Sequence, residues 1–192
     1  MSAVARFPDR YPIDDLELVR MRRRHLRKVL SIEASVYPRP WSASLFLSEL
    51  AQRSSRSYLV GRHQGITIAY AGMMFTGREA HVTNIAVDPD FHGRKVGTRL
   101  LLTMVYEALA RGCERISLEV RVTNGAAMSM YGKFGFITTG IRKGYYIETN
   151  EDAYIMIVED ALSSAYRGRM QSIRDELDDL SDDGDDSDDS IE

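Results

Sequence analysis

The chain has 192 residues, 44% of them apolar, with 25 basic and 28 acidic side chains and a net charge of −3. That content supports one sizeable core in one domain. No apolar run approaches the ~20 residues needed to span a bilayer, and no signal-like apolar region opens the sequence, so a cytoplasmic protein without a membrane partner is expected.

Leu16 to Arg22 reads as a first strand, and Arg24 to Ser35 as a helix with Leu26, Val29, Leu30 and Ile32 on one side. After Pro40-Trp41, Ser42 can cap a second helix running to about Gln52. Strands over Ser57 to Arg62 and Ile66 to Phe75 flank a His63-Gln64-Gly65 turn. Gly77 then turns the chain into a strand over Ala80 to Val87. Gly97 to Ala110 is helical and ends at Gly112, Arg115 to Val120 alternates as a strand, and Ala126 to Phe134 is a short helix. Ile137 to Tyr146 and Tyr154 to Val158 close the set as two strands. The order predicts an α/β sandwich of three layers, with a mixed, mostly antiparallel, splayed sheet between helices. Residues 1–15 are expected to form an N-terminal extension, 16–160 the domain, 161–180 an extra exposed helix, and 181–192 a disordered acidic tail.

Charge is divided unevenly between these parts. Residues 175–192 hold 11 acidic and no basic side chains, which leaves a balance of +8 on residues 1–174. The tail is either a screen for that basic surface or a solubilising appendage. A basic body is compatible with work near RNA, although no nucleic-acid motif is present. Cys113 is the single cysteine, so no disulfide can form within the chain, and the four His residues lack metal-ligand spacing, so no metal is implied.

The most informative stretch is Asn84 to Leu102, a strand, a Pro turn and a glycine-flanked basic loop opening into a helix. The first N–H groups of a helix have no intrahelical partners and carry the positive end of the dipole, so residues 93 to 98 form an anion site to which Arg94 and Lys95 add charge. Gly93 and Gly97 are not followed by Lys-Ser or Lys-Thr, and Gly-x-Gly-x-x-Gly is absent, which excludes the P-loop and the dinucleotide fingerprint. The segment resembles the acetyl-CoA pyrophosphate loop of the GCN5-related N-acetyltransferases. His92 stands where that family carries Gln or Arg, and Lys95 where it prefers Gly, so a left-handed backbone at Lys95 would be costly.

In Arg115 to Arg121 the apolar Ile116, Leu118 and Val120 share one face, which turns Ser117 and Glu119 to the other. Glu119 is then a strand carboxylate paired with Arg121 or Arg115, or a group of the site. Tyr131 lies on a helical stripe with Ala127, Met130 and Phe134 and reads either as a core ring or as a proton donor. Residues 16 to 158 resemble the bacterial ribosomal-protein alanine N-acetyltransferase branch of the family. The likeness is carried by Asn84 to Phe91, Leu118 to Arg121, Asn124, Ala126-Ala127, Tyr131, Gly135-Phe136 and Tyr145-Tyr146 before Glu151-Asp152-Ala153.

The resemblance implies that Glu119 accepts a proton and Tyr131 donates one. It further implies that Asn124 binds acetyl-CoA together with backbone groups of Ile85, Ala86, Val87, Gly93, Arg94, Lys95, Val96, Gly97 and Thr98. The resemblance implies as acceptor a protein N-terminus, with alanine as its first residue, of a small-subunit ribosomal protein. Tyr37, Trp41, Tyr145 and Tyr146 either flank that terminus or pack peripherally. Other protein termini, lysines or a small amine could use the same machinery, and a non-catalytic acetyl-CoA-binding module is the third reading. Cys113 lies between a helix and a strand, away from the loop, so direct transfer is expected.

Overall fold

The computed structural model describes residue 13 and residues 15–182. Residues 183–192 of the expected tail and most of the N-terminal extension lie outside the described residues, and α5 takes in residues 181–182. The elements are β1 (Glu17–Arg20), α1 (Leu26–Val36), α2 (Ala43–Ala51), β2 (Arg56–His63), β3 (Ile66–Thr76) and β4 (Glu79–Val87), then α3 (Val96–Ala110), β5 (Arg115–Arg121), α4 (Gly125–Lys133), β6 (Ile137–Tyr146), β7 (Glu151–Val158) and α5 (Ser164–Asp182). Short 3₁₀ turns at Arg23–His25 and Pro89–Phe91 lead into α1 and into the anion loop. The seven strands lie in the order β1-β2-β3-β4-β5-β7-β6. Every neighbouring pair is antiparallel except β4 and β5.

Two apolar clusters on opposite faces of the sheet make the three layers. On one face, Leu26, Val29 and Ile32 of α1 and Phe46 of α2 pack on Tyr58, Val60, Tyr70 and Ala86. On the other, Leu100, Leu101 and Met104 of α3, Tyr131 of α4 and Phe134 directly after it pack on Ala71, Met73, Ile116 and Leu118. Ser42 caps α2 as its sequence suggests, accepting the N–H of Leu45.

The expected exposed helix at 161–180 needs correction. Tyr166, Met170, Ile173 and Leu177 of α5 are buried and belong to the larger cluster. Their spacing is a helical stripe, but the polar and acidic residues between them hide it in a local hydropathy reading. Met170 is 0% exposed, so Met170→Ala is expected to lower unfolding free energy by about 2–4 kcal/mol in urea titration. An unchanged midpoint would show that α5 is an appendage after all.

One irregularity positions the site. Gly72 pairs with Asn84 and Met73 with Val82, so Thr83 is an extra residue in β4, a bulge that bends the strand. Pairing of β4 with β5 stops at the same point, at Val82 opposite Leu118. Beyond it, Asn84 to Val87 stay on β3, and Glu119 to Arg121 stay on β7. A side chain at position 72 is incompatible with this arrangement, because a Cβ there would lie 2.3 Å from the Tyr58 ring and 2.6 Å from Thr83 Oγ1.

Candidate active site

The parted strands open a cleft of about 800 Å³. The backbone of β4 forms one wall. Asp88 N–H donates to Ile68 O over 2.8 Å, which by alternation turns the amides of Ala86 and Asn84 toward β3 and those of Ile85 and Val87 toward the gap. Two carbonyls on that wall are already engaged: Ile85 O accepts the Tyr37 hydroxyl at 2.9 Å, and Val87 O accepts His92 Nε2–H at 2.9 Å. His92 thereby ties the anion loop to the strand, a task its sequence position did not disclose.

The loop carries strain. Gly93 has φ +77°, and Lys95, the residue before α3, is left-handed at φ 58°, ψ 9°. An L side chain in this region costs about 1–2 kcal/mol. Lys95 Nζ lies 3.5 Å from Glu176 of α5. Lys95→Gly is expected to raise stability by roughly 0.5–1 kcal/mol, since relief of the backbone exceeds the added chain entropy. Chemical denaturation of the two forms would measure the difference. Gly93, Lys95, Val96, Gly97 and Thr98 line the cleft, as do Ile85, Ala86, Val87 and Asn124. Arg94 is not among the lining residues, and its guanidinium sits over the Phe91 ring at 5.8 Å. Asn124 caps α4, accepting the N–H of Ala127 at 3.1 Å.

Glu119 and Tyr131 both line this cleft. The alternation of β5 is as its letters suggest, with Ile116, Leu118 and Val120 buried and Glu119 on the other face. Its partners differ from the arginines expected. Glu119 Oε2 lies 3.1 Å from His81 Nε2 of β4, and Oε1 lies 3.2 Å from Arg142 of β6. Arg121 instead bridges Glu148 and Glu151, each at 2.7 Å, and Arg115 reaches Glu79 and Glu159. His81 is the register partner of Ser117, two residues before Glu119, and Arg142 reaches over β7, so both long side chains meet the carboxylate diagonally across the sheet. The hydrogen bond from His81 is the chief reason that the Glu119 carboxyl sits below its usual range, with Arg142 adding to it and burial opposing it.

Burial pushes the Tyr131 phenol well above its ordinary pKa, and the nearby Tyr146 adds to the shift. The Tyr131 ring packs edge-on to Phe136 at 5.8 Å. Tyr37, Trp41, Tyr145 and Tyr146 gather at the same cleft. Tyr145 and Tyr146 pack edge-to-face at 5.1 Å, and Arg121 lies 3.7 Å over the Tyr146 ring, whose phenol burial raises to about 12. Trp41 is anchored through its backbone N–H to Glu33 Oε1 at 2.9 Å, and Tyr70 donates its hydroxyl to the other oxygen. Glu33, His81 and Arg142 were missed from sequence. Glu33 does interrupt the apolar face of α1 at 2% exposure, a signal that a helical projection would have shown. Cys113 is 1% exposed, its thiol is pushed up by burial, and it does not line the cleft.

A sheet opened beside an anion-binding helix start, with a carboxylate and a phenol in the opening, suits transfer of an acyl group from a phosphate-bearing thioester to an amine. The chain belongs to the acetyltransferase (GNAT) family, which it matches over residues 26–136, and it is an N-acetyltransferase. It is similar to the putative ribosomal protein bS18-alanine N-acetyltransferase of Bacillus subtilis, 38% identical over 138 residues that cover 72% of this chain and 91% of that one. It is 37% identical to the ribosomal protein bS18-alanine N-acetyltransferase of Escherichia coli (strain K12), over 65% of this chain and 84% of that one. The crystal structure of the ribosomal-protein-S18-alanine N-acetyltransferase from Escherichia coli aligns with TM-score 0.71 at 31% identity, over 78% of this chain and 96% of that chain. Among the described residues no helix is long and apolar enough to cross a membrane.

Proposed function

We propose that this enzyme acetylates the N-terminal residue, alanine, of a small-subunit ribosomal protein. Acetyl-CoA is the donor, its pyrophosphate on the N–H groups of residues 93 to 98 and its pantetheine arm along Ile85 to Val87. The observation that carries this reading is that Glu119 and Tyr131 line the same cleft as that loop. The names of the relatives support the acceptor.

The chemistry is direct transfer. An α-amine has a pKa near 8, so roughly one in six to ten molecules is neutral at pH 7, whereas a lysine amine is neutral in about one in 2500. Glu119 accepts the proton lost as the amine nitrogen bonds to the acetyl carbon, and the Val87 N–H polarises the carbonyl. The carbon–sulfur bond breaks, and Tyr131 protonates the departing thiolate. Aromatic side chains of the two loops flank the extended terminus, with Tyr37 and Trp41 on one side and Tyr145 and Tyr146 on the other.

Neither proposed proton carrier changes state in the neutral range, since Glu119 is held low and Tyr131 is held high. The profile of kcat/KM between pH 6 and 9 is therefore expected to rise with a midpoint at the acceptor's own amine pKa, about 8. A midpoint that stays fixed when the acceptor's amine pKa is changed would assign the titration to the enzyme. To test the acceptor, peptides with varied first residues and with internal lysines are offered with acetyl-CoA, and the acetyl group is located by mass spectrometry. Acetyl on the α-nitrogen of alanine-first peptides supports the proposal; acetyl on lysine side chains alone overturns it.

A further inference from the structure

The two oxygens of Glu119 sit in different mechanical settings. His81 Nε2 holds Oε2 at 3.1 Å, and His81 Nδ1 lies 3.0 Å from Ser117 Oγ. His81 and Ser117 are register partners on β4 and β5, in the last paired stretch before these strands part. A carboxylate cannot donate, so Nε2 carries the hydrogen, and the ring is fixed at both nitrogens between two hydrogen-bonded strands.

The other oxygen is capped differently. Arg142 reaches Oε1 from the edge strand β6, across β7, and its side chain is 54% exposed against 26% for His81. The pairing of β6 with β7 becomes irregular directly after Arg142. In this same position its guanidinium also lies 5.5 Å from the Tyr145 ring centroid. A long, half-exposed cation on an irregular edge strand is easily displaced, because solvent screens its side of the pair although the Glu119 side chain is only 10% exposed.

We infer that His81 is a positioning residue which permanently occupies Oε2, and that Arg142 marks at Oε1 the place taken by the acceptor's amino group. Arg142 swings off when the acceptor arrives and so competes with it. The inference rests on the proposed role of Glu119 as the proton acceptor and deepens it by separating the tasks of its two oxygens. It also gives neighbours of one carboxylate opposite kinetic signatures.

The test is steady-state kinetics on Arg142→Met, His81→Ala, His81→Gln and Glu119→Gln, each first shown by calorimetry to bind CoA as the unaltered enzyme does. Arg142→Met is expected to lower the acceptor KM about threefold to fivefold, the equivalent of one solvent-screened ion pair. His81→Ala is expected to lower kcat by about tenfold to a hundredfold with the acceptor KM within about twofold, the mark of a displaced reacting group. His81→Gln, which retains an N–H donor, is expected to recover most of that loss, and a merely structural histidine would show no such rescue. A higher acceptor KM in Arg142→Met, or a loss in His81→Ala that falls on KM, overturns the division of tasks while an inactive Glu119→Gln leaves the base itself in place. Full turnover by Glu119→Gln removes the base and the inference together.

Discussion

Glu119→Gln is expected to lower kcat by about 10² to 10⁴ while CoA binding and thermal stability stay near those of the unaltered enzyme. The substitution preserves volume and leaves a side-chain oxygen for the His81 N–H, so the local geometry at 3.1 Å is retained. What disappears is the ability to take a proton from the attacking amine. The hydrogen bond from His81 keeps the carboxyl ionised throughout the neutral range, so its loss should be felt at every pH where the enzyme is assayed. Stopped-flow or discontinuous acetylation assays at saturating acetyl-CoA read the effect directly. Retention of more than a tenth of the turnover would assign proton acceptance to bulk water.

Tyr131→Phe is the second large effect, again about 10² to 10⁴ in kcat with little change in either KM. The ring's contact with Phe136 and its place in the larger core survive, since only the hydroxyl is removed. A phenol raised by burial is a weak acid, and on that ground alone it would be a poor donor. The departing thiolate, however, forms in the same water-poor cleft, where burial penalises its charge as it penalises the phenolate's. Both pKa values rise together, and the proton transfer stays close to balanced. If that matching operates, an acyl-thioester with a more acidic leaving thiol should be less sensitive to Tyr131→Phe than acetyl-CoA is. Equal sensitivity would mean that the hydroxyl positions the donor and does not deliver a proton.

Much of the frame was readable as local pattern. Helical spacing in α1 and α3, strict alternation in β5 and the glycine-bounded loop before α3 place most elements within one to three residues of their positions. These signals are strong because each is written by neighbours in sequence, where a period of 3.6 or 2 leaves little choice. The glycine-flanked basic loop was legible for the same reason, although the left-handed Lys95 shows a residue accepting a conformation it disfavours because the helix start and the His92 tether fix the backbone on both sides.

The sequence by itself determined which side of β5 carries Glu119 and where a helix opens after the glycine-flanked loop, because periodicity and turn chemistry are properties of short stretches. The tertiary structure alone decided where the sheet opens, since that follows from Thr83 being extra opposite Gly72 and from β5 leaving β4 at Leu118. It likewise decided that His81 and Arg142, not the arginines nearest in sequence, meet the carboxylate, and that α5 packs into the core. Each of these depends on the register between segments far apart in the chain, and register is a sum of many weak cross-strand preferences that no single segment expresses.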